Sequence, residues 1–229
     1  ERGPRWAYRT TLLTMEPLAD LEVWIDAESG AVLGAQDRMK SATGTGLVFD
    51  PNPVVSLHDT SLRDNNNQTS PTLDGARVGV DLRRLNTTGF LQGQWADAQQ
   101  KQGVARAQSA ARVFEYSRDD NRFEEVMAYF HLDRTQARIE NDLGFTDVDN
   151  RTQVAYVDAE TADNSHYSPS DGATYFGTGG VDDAEDADII THEYGHSVQN
   201  DQVPGWGGRD EDSMGEGFGD YLAGTMTLA

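Results

Sequence analysis

Cysteine is absent from the 229-residue chain. Disulfides, cysteine-based zinc sites and cysteine nucleophiles are therefore excluded. The compartment is not decided by this, because calcium can brace a secreted domain that has no disulfides. Positive charge is scarce. Lys and Arg together number 18 against 39 acids, giving a formal charge of −21, and the only lysines are Lys40 and Lys101. Such a surface repels nucleic acid and anionic membrane, so neither is expected as a partner, whereas cations are welcome. The high charge is consistent with a salt-adapted source or with simple compositional bias towards Asp. No apolar run reaches the roughly 18 residues a membrane span needs. No secretory leader is visible in a chain that begins at Glu1 and ends in the apolar stretch 221–229. Those ends give the expectation of a fragment or trimmed chain.

What is present is mixed. Residues 1–40 read as a separate piece: alternating strands at Trp6–Thr14 and Leu21–Asp26, a turn at Ala27–Gly30, and a short strand from Ala31. Residues 41–100 are rich in Gly, Pro, Asn and Thr and read as strands with long connections, including Gly44–Phe49 and Arg77–Leu82, with a polar loop over 63–68. Asp97–Gly103 reads as a short polar helix or a loop. Arg122–Leu143 is the first long helix, its apolar residues recurring at helical spacing and Gly144 closing it. Strands follow at Thr152–Asp158, Ser165–Tyr167 and Ala173–Phe176, then helices over about Asp183–Asn200 and from Ser213. The expected fold class is α+β, with a β-rich first part and long helices carrying the site. Of the five histidines, His58 reads as a solvated loop residue and His131 as a packed one.

The two that matter are in Thr191-His192-Glu193-Tyr194-Gly195-His196. Histidines four apart share one helix face, so both can reach one zinc ion at roughly 2.0–2.1 Å. Glu193 sits about 100° round the helix, beside the open metal position, where it suits a general base acting on water. A catalytic zinc site needs a third protein ligand. The metzincin pattern, with Gly three and His six residues after the second histidine, fails, because those positions are Gln199 and Gln202. Glu216 lies twenty residues after His196. Two roles compete for it: with Ser213 it matches a capping box, and with the histidines it completes a metal set. Asp220, at i+4 on the same face, favours ligation, since it is placed to accept the other N–H of a ligating histidine. The glycines at 215, 217, 219 and 224 fit either a close helix approach or a flexible loop. Asp182, Asp183, Glu185, Asp186 and Asp188 crowd the start of the motif helix, fitting either favourable charge at a helix N-terminus or a calcium site.

Asp-Ile-Ile-Thr-His-Glu-Tyr-Gly-His followed by Met-Gly-Glu-Gly-Phe-Gly-Asp-Tyr resembles the fungalysin family of gluzincin metalloendopeptidases, with thermolysin as a more distant relative. Phe218 and Gly219 depart from the usual Glu-Gly-Trp-Ser-Asp. The likeness is strongest over 154–223. It implies zinc ligands His192, His196 and Glu216, base Glu193 and supporting Asp220, in a secreted zinc endopeptidase acting on protein or peptide. Trp24-Ile-Asp-Ala-Glu-Ser-Gly-Ala-Val-Leu33 resembles the final hairpin of the propeptide domain of such enzymes, which divides the chain into 1–40, with the chain's own propeptide as a partner, and 41–229, the first part of the catalytic domain. Asn164-Ser165-His166-Tyr167 resembles the substrate-binding edge strand of thermolysin-like enzymes, implying contacts from Asn164, Ser165 and Tyr167. Asp188 matches a calcium-binding acid of thermolysin relatives, making calcium a candidate second cofactor. The oxyanion-stabilising Tyr of those enzymes corresponds to Gly207, and only thirteen residues follow Glu216, so this stretch alone is expected to be weakly active or inactive.

Overall fold

A computed structural model describes residues 6–15, 18–37, 41–63, 68–101, 103–180, 182–205 and 209–227. Among the described residues it is a mixed α+β structure with three small sheets and five helices, and two of the three long helices stand at the C-terminal end. The expected loop over 63–68 lies mostly outside the described residues.

The first sheet holds β1 (Ala7–Met15), β2 (Leu18–Asp26) and β3 (Val32–Asp37), antiparallel in that order. Asp26 makes the turn after β2 by accepting the amides of Glu28 and Ser29 at 3.0 and 2.8 Å. Among the described residues this sheet adds no side chain to the central hydrophobic cluster.

The second sheet has the order β5-β4-β7, from β4 (Ala42–Val48), β5 (Val78–Leu85) and β7 (Val113–Phe114). Two short helices occupy the connection expected to be irregular: α1 (Pro53–Leu57) and α2 (Pro71–Ala76). Each carries Pro in its first turn and a side-chain cap, Asn52 accepting from the Val55 amide and Ser70 from the Leu73 amide. His58, exposed, takes the left-handed conformation that ends α1.

The third sheet positions the site. Its order is β6-β8-β10-β9: β6 (Ala96–Gln100), β8 (Gln153–Glu160), β9 (His166–Ser168) and β10 (Ala173–Gly177). β6, β8 and β10 run parallel, and β9 is an antiparallel edge strand. β6 corrects the expectation of a polar helix or loop at Asp97–Gly103. It is a buried parallel strand, so its sequence lacks the alternation of a half-exposed one. Its Asp97 is satisfied by Gln92, Gln99 and Arg106 side chains.

Helix α3 (Arg122–Asn141) crosses the core with Phe123, Val126, Met127, Leu132 and Ile139 buried, and ends two residues before the expected Leu143. His131 is packed within it: its Nε2 lies 2.9 Å from the Phe49 carbonyl, and burial together with Arg134 pushes its pKa down to about 3. After the 3-10 turn Asp183–Glu185 come α4 (Ala187–Gln202) and α5 (Arg209–Thr227). Because α5 begins at Arg209, Ser213 lies inside the helix, and a capping box of Ser213 and Glu216, the role competing with ligation, does not form at its start. No helix among the described residues is long and apolar enough to cross a membrane.

Candidate metal centre

The start and rotation of α4 are fixed by side chains. Asp186 caps it, accepting the Asp188 amide at 2.8 Å, and is itself held by Asn52 at 2.9 Å. Ile190, Tyr194 and Val198 recur every four residues and are buried in the core. Tyr194 donates to Gln136 at 2.7 Å, and Ser197 donates to Asp149 at 2.7 Å. These anchors turn the opposite face, with His192 and His196, towards α5.

Two of the four α5 glycines permit that meeting. A Cβ on Gly195 would come within 3.0 Å of the Gly219 Cα, and one on Gly219 would stand 2.8 Å from His192 Nδ1. Gly215 faces Gln199 and His196, whereas Gly217 and Gly224 have nothing within 4 Å. Close approach therefore accounts for Gly219 and Gly215 but not for Gly217 and Gly224.

Three donor groups converge in the gap. His192 Nε2 lies 3.2 Å from His196 Nε2 and 3.1 Å from Glu216 Oε2, and His196 Nε2 lies 3.6 Å from Glu216 Oε1. Donors held tetrahedrally at zinc distances are separated by roughly 3.3 Å. The arrangement thus fits a zinc ion without large movement. Asp220 Oδ1 is 3.0 Å from His192 Nδ1. A proton on Nδ1 shared with Asp220 leaves the Nε2 lone pair free for metal.

Glu193 is buried beside this group, and its Oε2 has no hydrogen-bond partner. Burial pushes its carboxyl up to about 7, with the Glu216 charge adding to the rise and the His192 ring and the Tyr167 amide opposing it. Burial and the neighbouring His192 lower His196.

The centre opens into a cleft of about 1020 Å³. α4 and α5 line it with His192, Glu193, His196, Glu216 and Asp220, and Asn164, Ser165, His166 and Tyr167 form the facing wall. Among the described residues β9 pairs with β10 on one side only, leaving its other edge unpaired in the sheet. Ser165 is turned into the protein: its hydroxyl donates to Asp183 at 2.6 Å and accepts the Gly177 amide at 3.3 Å. The Tyr167 hydroxyl accepts from Asn200 at 3.2 Å. His166 stacks on Tyr175, ring centroids 5.1 Å apart.

The five acids before the motif fan out rather than form one cluster. Asp183 binds Ser165, Glu185 pairs with Arg118 at 2.5 Å, Asp186 caps α4, and Asp188 accepts the Thr227 hydroxyl at 2.6 Å. Only Asp182 joins a cation-type grouping, with Glu124 and Asp158, two residues the sequence reading did not single out. The available signal was the acid pair Glu124–Glu125 between the apolar positions Phe123 and Val126. Gly207 lies outside the described residues. No protein-family model matches the chain, and no curated protein matches it.

Proposed function

We propose that the chain is a zinc-dependent metalloendopeptidase of the fungalysin-like gluzincin kind, with residues 41–229 carrying the metal- and base-bearing part of its catalytic domain. The observation that supports this most is the convergence of His192, His196 and Glu216 at tetrahedral-edge separations, with Asp220 on the outer nitrogen of His192. Zinc held by those three side chains would acidify a water molecule and polarise the scissile carbonyl.

The protein's own groups would do the rest. Glu193 is placed to take a proton from water and return it to the departing amine nitrogen. Its burial raises the carboxyl in the metal-free chain and so favours its holding a proton between the two halves of that exchange. Asp220 keeps the proton of His192 on Nδ1. The free edge of β9 suits an extended peptide, which would add as a further strand opposite the metal. In this role Asn164 and the backbone of residues 165–167 offer the contacts, while the Ser165 hydroxyl is committed to Asp183. The three-stranded sheet of residues 6–37 corresponds in this reading to the end of a propeptide, and the enzyme to a secreted one.

Metal removal tests the reading. Chelation should abolish peptidase activity of the full-length protein, one equivalent of zinc should restore it, and His196→Ala should neither hold zinc nor be restored. Activity that persists without metal would overturn it.

A further inference from the structure

Glu124, Asp158 and Asp182 each place a carboxylate oxygen within 4.8 Å of the others, and all three are buried. They come from three distant elements: the first turn of α3, the end of β8, and the residue before the Asp183–Glu185 turn. Their mutual repulsion has little direct relief. Asn121 donates to Asp158 at 2.9 Å, while the nearby Arg118 is engaged with Glu185 and the Gln68 carbonyl. Both carboxylate oxygens of Glu124, a fully buried side chain, lack a hydrogen-bond partner, as does Asp182 Oδ1. Gln100, only 4% exposed, also hydrogen-bonds towards Asp158, so the relief reaches Asp158 and leaves Glu124 without a partner.

A buried carboxylate without a partner costs several kcal/mol unless it takes a proton or a cation. Two remedies are therefore available: protons shared among the acids, or a hard cation. The donor set favours the cation. It consists of carboxylate oxygens only, and a proton shared by two carboxylates would leave the third charged. Oxygens this close together can all reach one calcium ion at about 2.3–2.6 Å. Magnesium prefers to keep several waters, which this buried position gives little room for.

We propose that Glu124, Asp158 and Asp182 form a calcium site that shares no residue with the histidine centre and braces the turn from which α4 starts. Asp182 leads directly through Asp183–Glu185 to Asp186, the cap of the helix that carries His192 and His196. Calcium here ties that turn to α3 and β8 and supplies no chemistry. The site stands whether or not the chain is a peptidase.

The test uses the whole chain, stripped of metal and reloaded with one equivalent of zinc, then titrated with calcium chloride by calorimetry and thermal melting. One calcium per chain should bind saturably, raising Tm by about 5–10 °C at a hundredfold excess over Kd. Glu124→Gln and Asp182→Asn should abolish the response, while their calcium-free forms melt no lower than the calcium-free native chain, since a repulsive charge is gone. Asp188→Asn should keep it. Absence of calcium binding at millimolar concentration would mean that shared protons alone relieve the cluster and would overturn the proposal. Binding that survives both Glu124→Gln and Asp182→Asn would overturn it as well, as would loss of the response in Asp188→Asn alone.

Discussion

Substituting Gly219 by alanine perturbs the centre without replacing a ligand. The new methyl would lie 2.8 Å from His192 Nδ1 and 2.9 Å from its Cε1 and Cγ. Heavy atoms rest at about 3.5–4.0 Å, so the contact is short by roughly 0.7 Å. Relief requires the ring to turn or α5 to move away. Turning the ring breaks the 3.0 Å contact with Asp220, and moving α5 carries Glu216 from the histidine pair. Loss of such an orienting contact typically weakens metal binding about 10–100-fold, which is the expected drop in zinc affinity. For stability, overpacking costs about 1–3 kcal/mol, while replacing Gly within a helix returns about 0.5–1 kcal/mol, so a net loss of about 1–2 kcal/mol is expected. Gly217→Ala is the matched control: nothing lies within 4 Å of its methyl position, so it should gain about 0.5–1 kcal/mol and bind zinc normally. Competition against a chromogenic chelator gives the affinity, and urea unfolding of the metal-free chains gives the stability. If Gly219→Ala binds zinc as tightly as the native chain and gains stability as Gly217→Ala does, the close-approach argument is wrong.

Asp220→Asn should weaken zinc binding about 10–100-fold and leave metal-free stability within about 0.5 kcal/mol, because Asp220 is exposed and acts through His192; equal zinc affinity would remove its orienting role. Burial raises Asp182 to about 7 and Glu185 to about 8, so the folded chain holds protons that the unfolded chain has released. Stability of the metal-free protein should therefore fall as pH rises from 6.5 to 8; His131, held neutral in the fold because burial pushes it down to about 3, gives a smaller opposing gain at the low end of that window, where the unfolded imidazole loses its proton. Melts at pH 6.5 and 8 read this directly, and a metal-free Tm that rises across that window would contradict it.

The metal centre was legible where its geometry is local. His192, Glu193 and His196 sit within one helical turn or so, and Glu216 and Asp220 share a face of the next helix, so spacing alone grouped each set. Joining the sets required α4 to meet α5, which the glycines signalled without saying which of them did so; Gly219 and Gly215 face the histidine helix, and Gly217 does not. The start of α5 was placed at Ser213, four residues late, because Ser213 and Glu216 carry a helix-start pattern that nothing at Arg209 rivals. β6 was missed for the opposite reason: buried polar residues paired by Gln92, Gln99 and Arg106 mimic a surface segment. Glu124 and Asp158 were beyond reach, since the three acids, 24 to 58 residues apart, come together only through the packing of α3 on the third sheet. The acids at 182–188 looked like one cluster because charge in sequence says nothing about direction: Asp183, Glu185, Asp186 and Asp188 each turn to a different partner, and Asp182 joins Glu124 and Asp158.

The most direct measurement is a paired assay of native and Glu193→Gln full-length protein, with zinc quantified in both and hydrolysis followed on an unfolded protein substrate. Both should carry one zinc per chain, because Glu193 lies beside the donor set rather than within it. Activity should fall by about 10²–10⁴-fold in the variant, the usual range for loss of a general base. Equal hydrolysis by the two proteins, or a zinc-loaded native protein with no hydrolysis at all, would contradict the assignment.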